Sequence, residues 1–188
     1  MDDIVALARD RTERDALSRA MSVLDENYGL AEKARREPYV WTVLEELVVR
    51  LQHAFGSLAA LRGKRILDIA CGSSSSRSPD TGERTAAFEP WFCRLLYELD
   101  ADAVGVDAGD LDGERFEHHT VDLSRIGALD FLPDASFDGV QDSRLFGSPE
   151  FRGLVKNERM RDAIKEELRR QERRLLKKDG VIIHTDNP

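Results

Sequence analysis

The sequence predicts an α/β fold whose centre is a largely parallel sheet of about five strands with flanking helices. Three observations carry that prediction. From Lys64 onward, short apolar runs alternate with helix-length stretches. The runs show little polar alternation, as expected of strands buried on both faces in βαβ units. Two of them end in an acidic residue followed by small residues, the kind of strand end beside which open α/β sheets bind ligands.

The bulk properties agree with a folded domain and narrow its class. A chain of 188 residues suits one domain with some extra elements. Its hydrophobic content of 41% and charged content of 34% are ordinary for a globular protein. A net charge of −8 argues against nucleic acid as a nonspecific partner. There is no apolar run of about 18 residues, so no membrane span or membrane partner is expected. The opening Met1-Asp2-Asp3-Ile4 lacks the basic-then-apolar layout of a secretory signal. Cys71 and Cys93 are the only cysteines and have no CxxC spacing, so no metal site is expected. A reducing, cytoplasmic location is the default reading.

The elements follow in order. Residues 1–62 read as an N-terminal helical extension, a lid or packing element on the 63–188 domain. Leu17, Ala20, Met21 and Leu24 have helical spacing, and Tyr28-Gly29 marks a helix end. Val40, Val43, Leu44, Leu47, Val48, Leu51, Phe55 and Leu58 paint one face of a second helix, with Pro38 at its start. Strands are expected at 65–70, 103–107, 117–121, 137–141 and 181–184. Helices are expected at 89–99 and 158–176. The latter has a narrow stripe of Ile164, Leu168 and Leu175, and charged faces where Glu166 and Arg170 have pairing distance. Its charge run reads as a solvated face.

The turn after the first strand carries the strongest functional signal. Asp68 ends the run, and Ala70, Cys71, Gly72, Ser73 and Ser74 follow it. Small side chains let the backbone approach a ligand, and glycine reaches dihedrals closed to other residues. A dinucleotide site would require G-x-G-x-x-G facing a pyrophosphate. Here there is one glycine beside a carboxylate, which repels phosphate and suits a cationic ligand. Leu67-Asp68-Ile69-Ala70-Cys71-Gly72 resembles the first motif of the class I, Rossmann-like S-adenosylmethionine-dependent methyltransferases. Ser74 departs from it, since glycine is usual at that position, and the serine is expected to shift or narrow the methionine end of the pocket.

The resemblance implies roles for four further segments. Asp107, ending Ala103-Val104-Gly105-Val106-Asp107, is expected to accept the ribose hydroxyls, with Ala108 beside it. In His118-His119-Thr120-Val121-Asp122-Leu123, Asp122 is expected to meet the adenine amino group and Leu123 to cover the ring. His118 and His119 point to opposite strand faces and read as structural or surface residues. The Phe137-Asp138 strand leads to Gln141, Asp142 and Ser143, which are expected near substrate, with Asp142 either a base or a strand-end cap. Asp179-Gly180 supplies the turn before the last strand. The implied ligand is S-adenosylmethionine, with S-adenosylhomocysteine as product.

The sequence also departs from the family in two places. Residues 73–87 make an unusually long connection, expected either to close over the cofactor, with Ser75 or Arg77 reaching its carboxylate, or to be disordered. The sequence ends at Pro188, just after the fifth strand, so the family's C-terminal strand pair is expected to be missing. The open edge would then be covered by the N-terminal helices or by another subunit in a homo-oligomer. These features lead to two readings. One is a methyltransferase acting on a small or medium-sized acceptor under the N-terminal helices, where Tyr28, Tyr39 and Trp41 are candidate lining residues. The other is a noncatalytic cofactor- or partner-binding module. A nicotinamide oxidoreductase lacks its glycine fingerprint. Trp91 and Phe92 read as helix core, and no catalytic residue is assigned.

Overall fold

The computed structural model describes residues 1–78, 81–142 and 145–183. Four helices come first: α1 (Asp2–Ala6), α2 (Arg11–Tyr28), α3 (Leu30–Arg36) and α4 (Tyr39–Phe55). The Asp10 side chain caps α2 by accepting from the Glu13 amide at 2.8 Å. Gly29, at φ +64°, closes α2 through its N–H to Asp25 O and leads directly into α3. Pro38 precedes α4, which buries Val40, Leu44, Leu47, Val48 and Leu51 as the spacing predicts. The helix ends one turn earlier than that spacing suggests. Gly56, at φ +79°, stops it, and Leu58 is buried in a separate 3-10 turn.

The sheet is assembled from β1 (Arg65–Ile69), β2 (Asp102–Asp107), β3 (Glu117–Thr120), β4 (Phe137–Asp142) and β5 (Leu176–Ile183). Its order is β3-β2-β1-β4-β5, and every pairing is parallel. This is the Rossmann-like α/β layout expected from the sequence, with the order reversing between β1 and β4. Helix α5 (Trp91–Glu98) connects β1 to β2, and α6 (Pro149–Leu154) and α7 (Glu158–Leu175) connect β4 to β5.

Alternation along the strands divides the interior into two cores. Ile66, Ala103 and Ile183 pack with α1, α2, α4 and α5 on one face. Leu67, Ile69, Val104, Val106 and Val140 pack with α7 on the other, against Ile164, Leu168 and Leu175. The product is a three-layer sandwich with a sheet buried on both faces.

The connections differ from the sequence expectation. No helix forms in 108–116 or 121–136. Gly109, Asp110, Asp112 and Gly113 favour turns in the first. Gly127, at φ +79°, and Pro133 interrupt the second, which still buries Leu123, Leu129 and Leu132. Asp179-Gly180 is also not a turn. It lies inside β5, where the register shifts opposite Phe137 and Gly139. A Cβ at Gly180 would lie 3.0 Å from Phe137 O, so the bulge brings the two backbones into close approach. On α7, Arg170 bonds Glu167 at 2.7 Å rather than the predicted Glu166. Among the described residues the sheet is bounded by β3 and β5. Ser143 and His184 lie outside the described residues.

Candidate functional site

The C-terminal ends of β1, β2, β3 and β4 open into a cavity of about 420 Å³ whose opposite wall is α4. That volume lies within the roughly 300–1,000 Å³ of small-molecule sites, and its place is the topological switch point of the sheet. Of the residues expected at a ligand site, Asp68, Ala70, Cys71, Gly72, Asp107, Ala108, Asp122, Leu123 and Gln141 line it. Ser73 and Ser74 do not. Ser73 is buried and fills the space over Gly109, where a Cβ would lie 2.1 Å from its Oγ. Ser74 is exposed, so the serine at the family's usual glycine position faces away from the cavity.

The first turn is shaped by backbone. Ala70 adopts φ +59° and Gly72 φ +84°, so the chain leaves β1 through two left-handed residues. A Cβ at Gly72 would lie 2.0 Å from Phe88 O, which leaves room for glycine alone. The turn is pinned by Asp107. Its Oδ2 accepts the Gly72 amide at 3.0 Å and its Oδ1 the Gly109 amide at 2.7 Å. Asp107 therefore joins the ends of β1 and β2, and each oxygen keeps a second lone pair for a ligand.

Asp68 is fully buried. It stands in register with Gly105 on one side and Gln141 on the other, so the three share a row across the sheet. Gln141 Nε2 donates to Asp68 Oδ1 at 3.4 Å. Cys71 and Cys93 close over Gly105, where a Cβ would meet their sulfurs at 2.9 and 3.2 Å. A hydrogen bond with Cys93 lowers the Cys71 thiol's pKa, but burial and the charges of Asp68, Asp107 and Glu114 outweigh it and hold the value above the ordinary one. Burial raises Cys93 well above it. Both are free thiols. Asp122 is exposed and accepts from the Ser124 amide at 3.0 Å.

The long connection after Gly72 is organised where it is described. Arg77 and Arg84 form an antiparallel bridge, and Arg77 Nη1 donates to Gly82 O at 2.8 Å. Glu37, following α3, accepts from Thr85 Oγ1 and from the Ala86 amide, tying the loop to the helical layer. Ser76 and Arg77 line the cavity, whereas Ser75 bonds Ser73 Oγ at 2.9 Å. Asp142 accepts from the Leu145 amide at 3.2 Å, in the manner of a strand-end cap.

The α4 wall contains residues that sequence reasoning missed. Val43, Glu46, Leu47 and Arg50 share one face with Tyr39 at three- and four-residue spacing. Tyr39 lines the cavity as expected, but Tyr28 does not, because the Arg94 guanidinium stacks on its ring at 4.0 Å. Trp41 packs against the core instead. Trp91 and Phe92 are buried helix residues, and they also reach the cavity wall. Phe88, Glu89, Leu145, Phe151 and Leu154 complete the wall. The Glu46/Arg50 pair was the available signal, as an i,i+4 charge pair on an otherwise apolar helix face.

His118 bonds Phe116 O, and His119 bonds Glu117 and meets the Phe131 ring edge-on at 4.9 Å. Among the described residues there is no cluster of three or more His, Cys, Asp or Glu suited to a metal ion. Among them, too, no helix is long and apolar enough to cross a membrane.

Comparison with solved structures finds the Burkholderia thailandensis 1,6-didemethyltoxoflavin-N1-methyltransferase, with bound 1,6-didemethyltoxoflavin and S-adenosylhomocysteine. The TM-score is 0.35 and the identity 19%, over 92% of this chain and 63% of that one. The trans-methyltransferase CalH, in complex with SAH, is similar at TM-score 0.39 and 16% identity, over 92% of this chain and 43% of that one. The chain thus spans less than two thirds of either structure. No protein-family model and no curated protein matches it.

Proposed function

We propose that the strand-edge half of the cavity binds S-adenosylmethionine and that the protein transfers its methyl group to a small or medium-sized acceptor held against α4. The supporting observation is the grouping of Asp68, Asp107 and Asp122 around the left-handed Gly72 turn, at the switch point of a parallel sheet. Three carboxylates repel a pyrophosphate but suit a ligand with a sulfonium and an ammonium group. In this reading the free lone pairs of Asp107 accept the ribose hydroxyls, Asp122 meets the adenine and Leu123 covers its ring. Asp68 and Gln141 lie nearer the methionine end, with Ala70, Cys71 and Gly72 allowing close approach.

Bound there, S-adenosylmethionine would supply an electrophilic methyl whose carbon an acceptor lone pair would attack, with the S–CH₃ electron pair going to sulfur and any proton on the acceptor atom leaving to solvent. The residues of this chain would position the two reactants and exclude water, which is the larger part of what such a reaction requires. With their pKa values raised by burial and nearby carboxylates, Cys71 and Cys93 would stay protonated and compete poorly with the acceptor for the methyl.

Calorimetry with S-adenosylmethionine and S-adenosylhomocysteine tests the reading. The intact protein should bind both, and Asp107→Ala should weaken binding by roughly tenfold or more, the loss of about 1.4 kcal/mol or more in charge-assisted hydrogen bonds. No binding by the intact protein would sink the proposal. Binding with no turnover across a panel of acceptors would favour a noncatalytic module instead.

A further inference from the structure

The half of the cavity facing away from the strand ends has a different chemistry. Val43 and Leu47 of α4 and Phe151 of α6 give it apolar walls. Tyr39, Phe88 and Leu154 also line the cavity while remaining 42%, 40% and 71% exposed, so the apolar surface continues out to the rim. Contiguous apolar surface at the mouth of a cavity marks a binding groove rather than idle exposure.

Among the described residues, the charged side chains of the α4 wall pair with each other. Glu46 and Arg50 pair at 2.9 Å, with the Arg50 side chain 15% exposed. Glu89, whose backbone abuts the Gly72 turn, is held by Lys33 from α3 and by the buried Arg94 at 2.6 Å. Among the described residues, the other charged groups lining the cavity are Asp68, Asp107 and Asp122 at the strand ends and Arg77, whose Nη1 donates to Gly82 O at 2.8 Å. A multiply charged compound entering the α4 half would compete with the Glu46–Arg50 pair or give up its hydration beside apolar walls, and both are unfavourable. An apolar ring loses nothing by the same move and gains contact with aromatic and branched side chains.

From this we infer that the methyl acceptor is a neutral, ring-bearing small molecule, seated between α4 and α6 with its polar substituent toward the Glu46–Arg50 pair. The inference rests on assigning the strand-edge half to S-adenosylmethionine. It predicts that phosphorylated and polysulfonated compounds, open-chain polyols and nucleic acid are poorer acceptors than such a ring compound.

The test is calorimetric titration of protein saturated with S-adenosylhomocysteine, using 2-naphthol, a naphthalene trisulfonate and sorbitol as probes. The first two share a ring system and differ in charge, and sorbitol supplies hydroxyls without a ring. Naphthol should bind saturably, and the other two at least about tenfold more weakly. Leu154→Asp, at a surface position that the fold does not depend on, should weaken naphthol at least about fivefold. Val43→Asp should do so more strongly, with its melting curve reported beside it. Trisulfonate binding as tight as naphthol, no saturable naphthol binding, or naphthol binding unaffected by Leu154→Asp would overturn the inference. The two readings fail separately. Loss of the inference with S-adenosylhomocysteine bound leaves the cofactor site standing. Naphthol binding to protein that does not take S-adenosylhomocysteine would overturn the cofactor assignment, and with it the naming of the ring compound as a methyl acceptor.

Discussion

Single residues set the shape of the site, and Gly72 matters most among them. Its φ of +84° is closed to most side chains, and the carbonyl of Phe88 occupies the position where a Cβ would stand. Either effect alone would disturb the turn, and backbone strain of this kind costs about 1–3 kcal/mol. Gly72→Ala should therefore weaken S-adenosylhomocysteine binding at least about tenfold and lower the melting temperature. An unchanged affinity would mean that the Phe88 segment moves aside freely. Asp107 acts differently, because it holds two backbone amides before any ligand arrives. Its substitution should affect stability as well as binding, and melting curves alongside calorimetry separate the two.

At the scale of elements, the helical layer is fastened by one buried carboxylate. Glu13 of α2 accepts from the Arg9 amide at 2.8 Å, the Leu58 amide at 2.8 Å and Gln52 Nε2 at 3.0 Å. It thereby joins α2 to α4 and to the 3-10 turn that leads into β1. Removing it strands the buried Leu58 amide and one Gln52 Nε2 proton, while Gln52 keeps its bond to Leu7 O; each donor costs about 1–3 kcal/mol when buried and unsatisfied. Glu13→Ala should destabilise the protein by about 3 kcal/mol, roughly 6–12 °C in melting temperature for a chain of this size. A loss below about 1 kcal/mol would show that water or repacking satisfies those groups. This junction also matters for the cavity, because α4 presents Val43, Leu47 and Arg50 only if the helix is seated in this register.

For the whole molecule, stability should depend on pH through Glu172 of α7. Burial, with repulsion from Asp142, pushes its carboxyl up to about 7 from 4.5, against the pull of Arg169 and Arg173. The folded state therefore keeps a proton that the unfolded chain releases above about 4.5. Stabilisation from this group is full below that pH and is lost as the pH rises through about 7. Glu172→Gln should leave the melting temperature at pH 4.5 nearly unchanged and raise it at pH 8 by a few degrees, corresponding to about 1–3 kcal/mol. An equal shift at both pH values would assign the effect to packing instead of titration.

The sequence by itself determined most of the sheet and one wall of the cavity. Four strands, the C-terminal end of the fifth and the 158–175 helix were legible because buried strands and a long amphipathic helix each impose a local apolar period. The acidic strand ends at Asp68 and Asp107 and the glycine at 72 were legible because turn chemistry is also local. What could not be read locally was decided by the tertiary structure. The chain forms no helix in 108–116 or 121–136, because glycines, a proline and turn-forming residues outweighed the average βαβ pattern. Ser74 turned away from the cavity and Tyr28 was drawn under Arg94, while Glu46, Arg50, Phe151 and Leu154 arrived at the wall from elements distant in sequence. A helix face has no partner until another element is packed beside it, so only the packed molecule determines what faces the carboxylates of the strand edge.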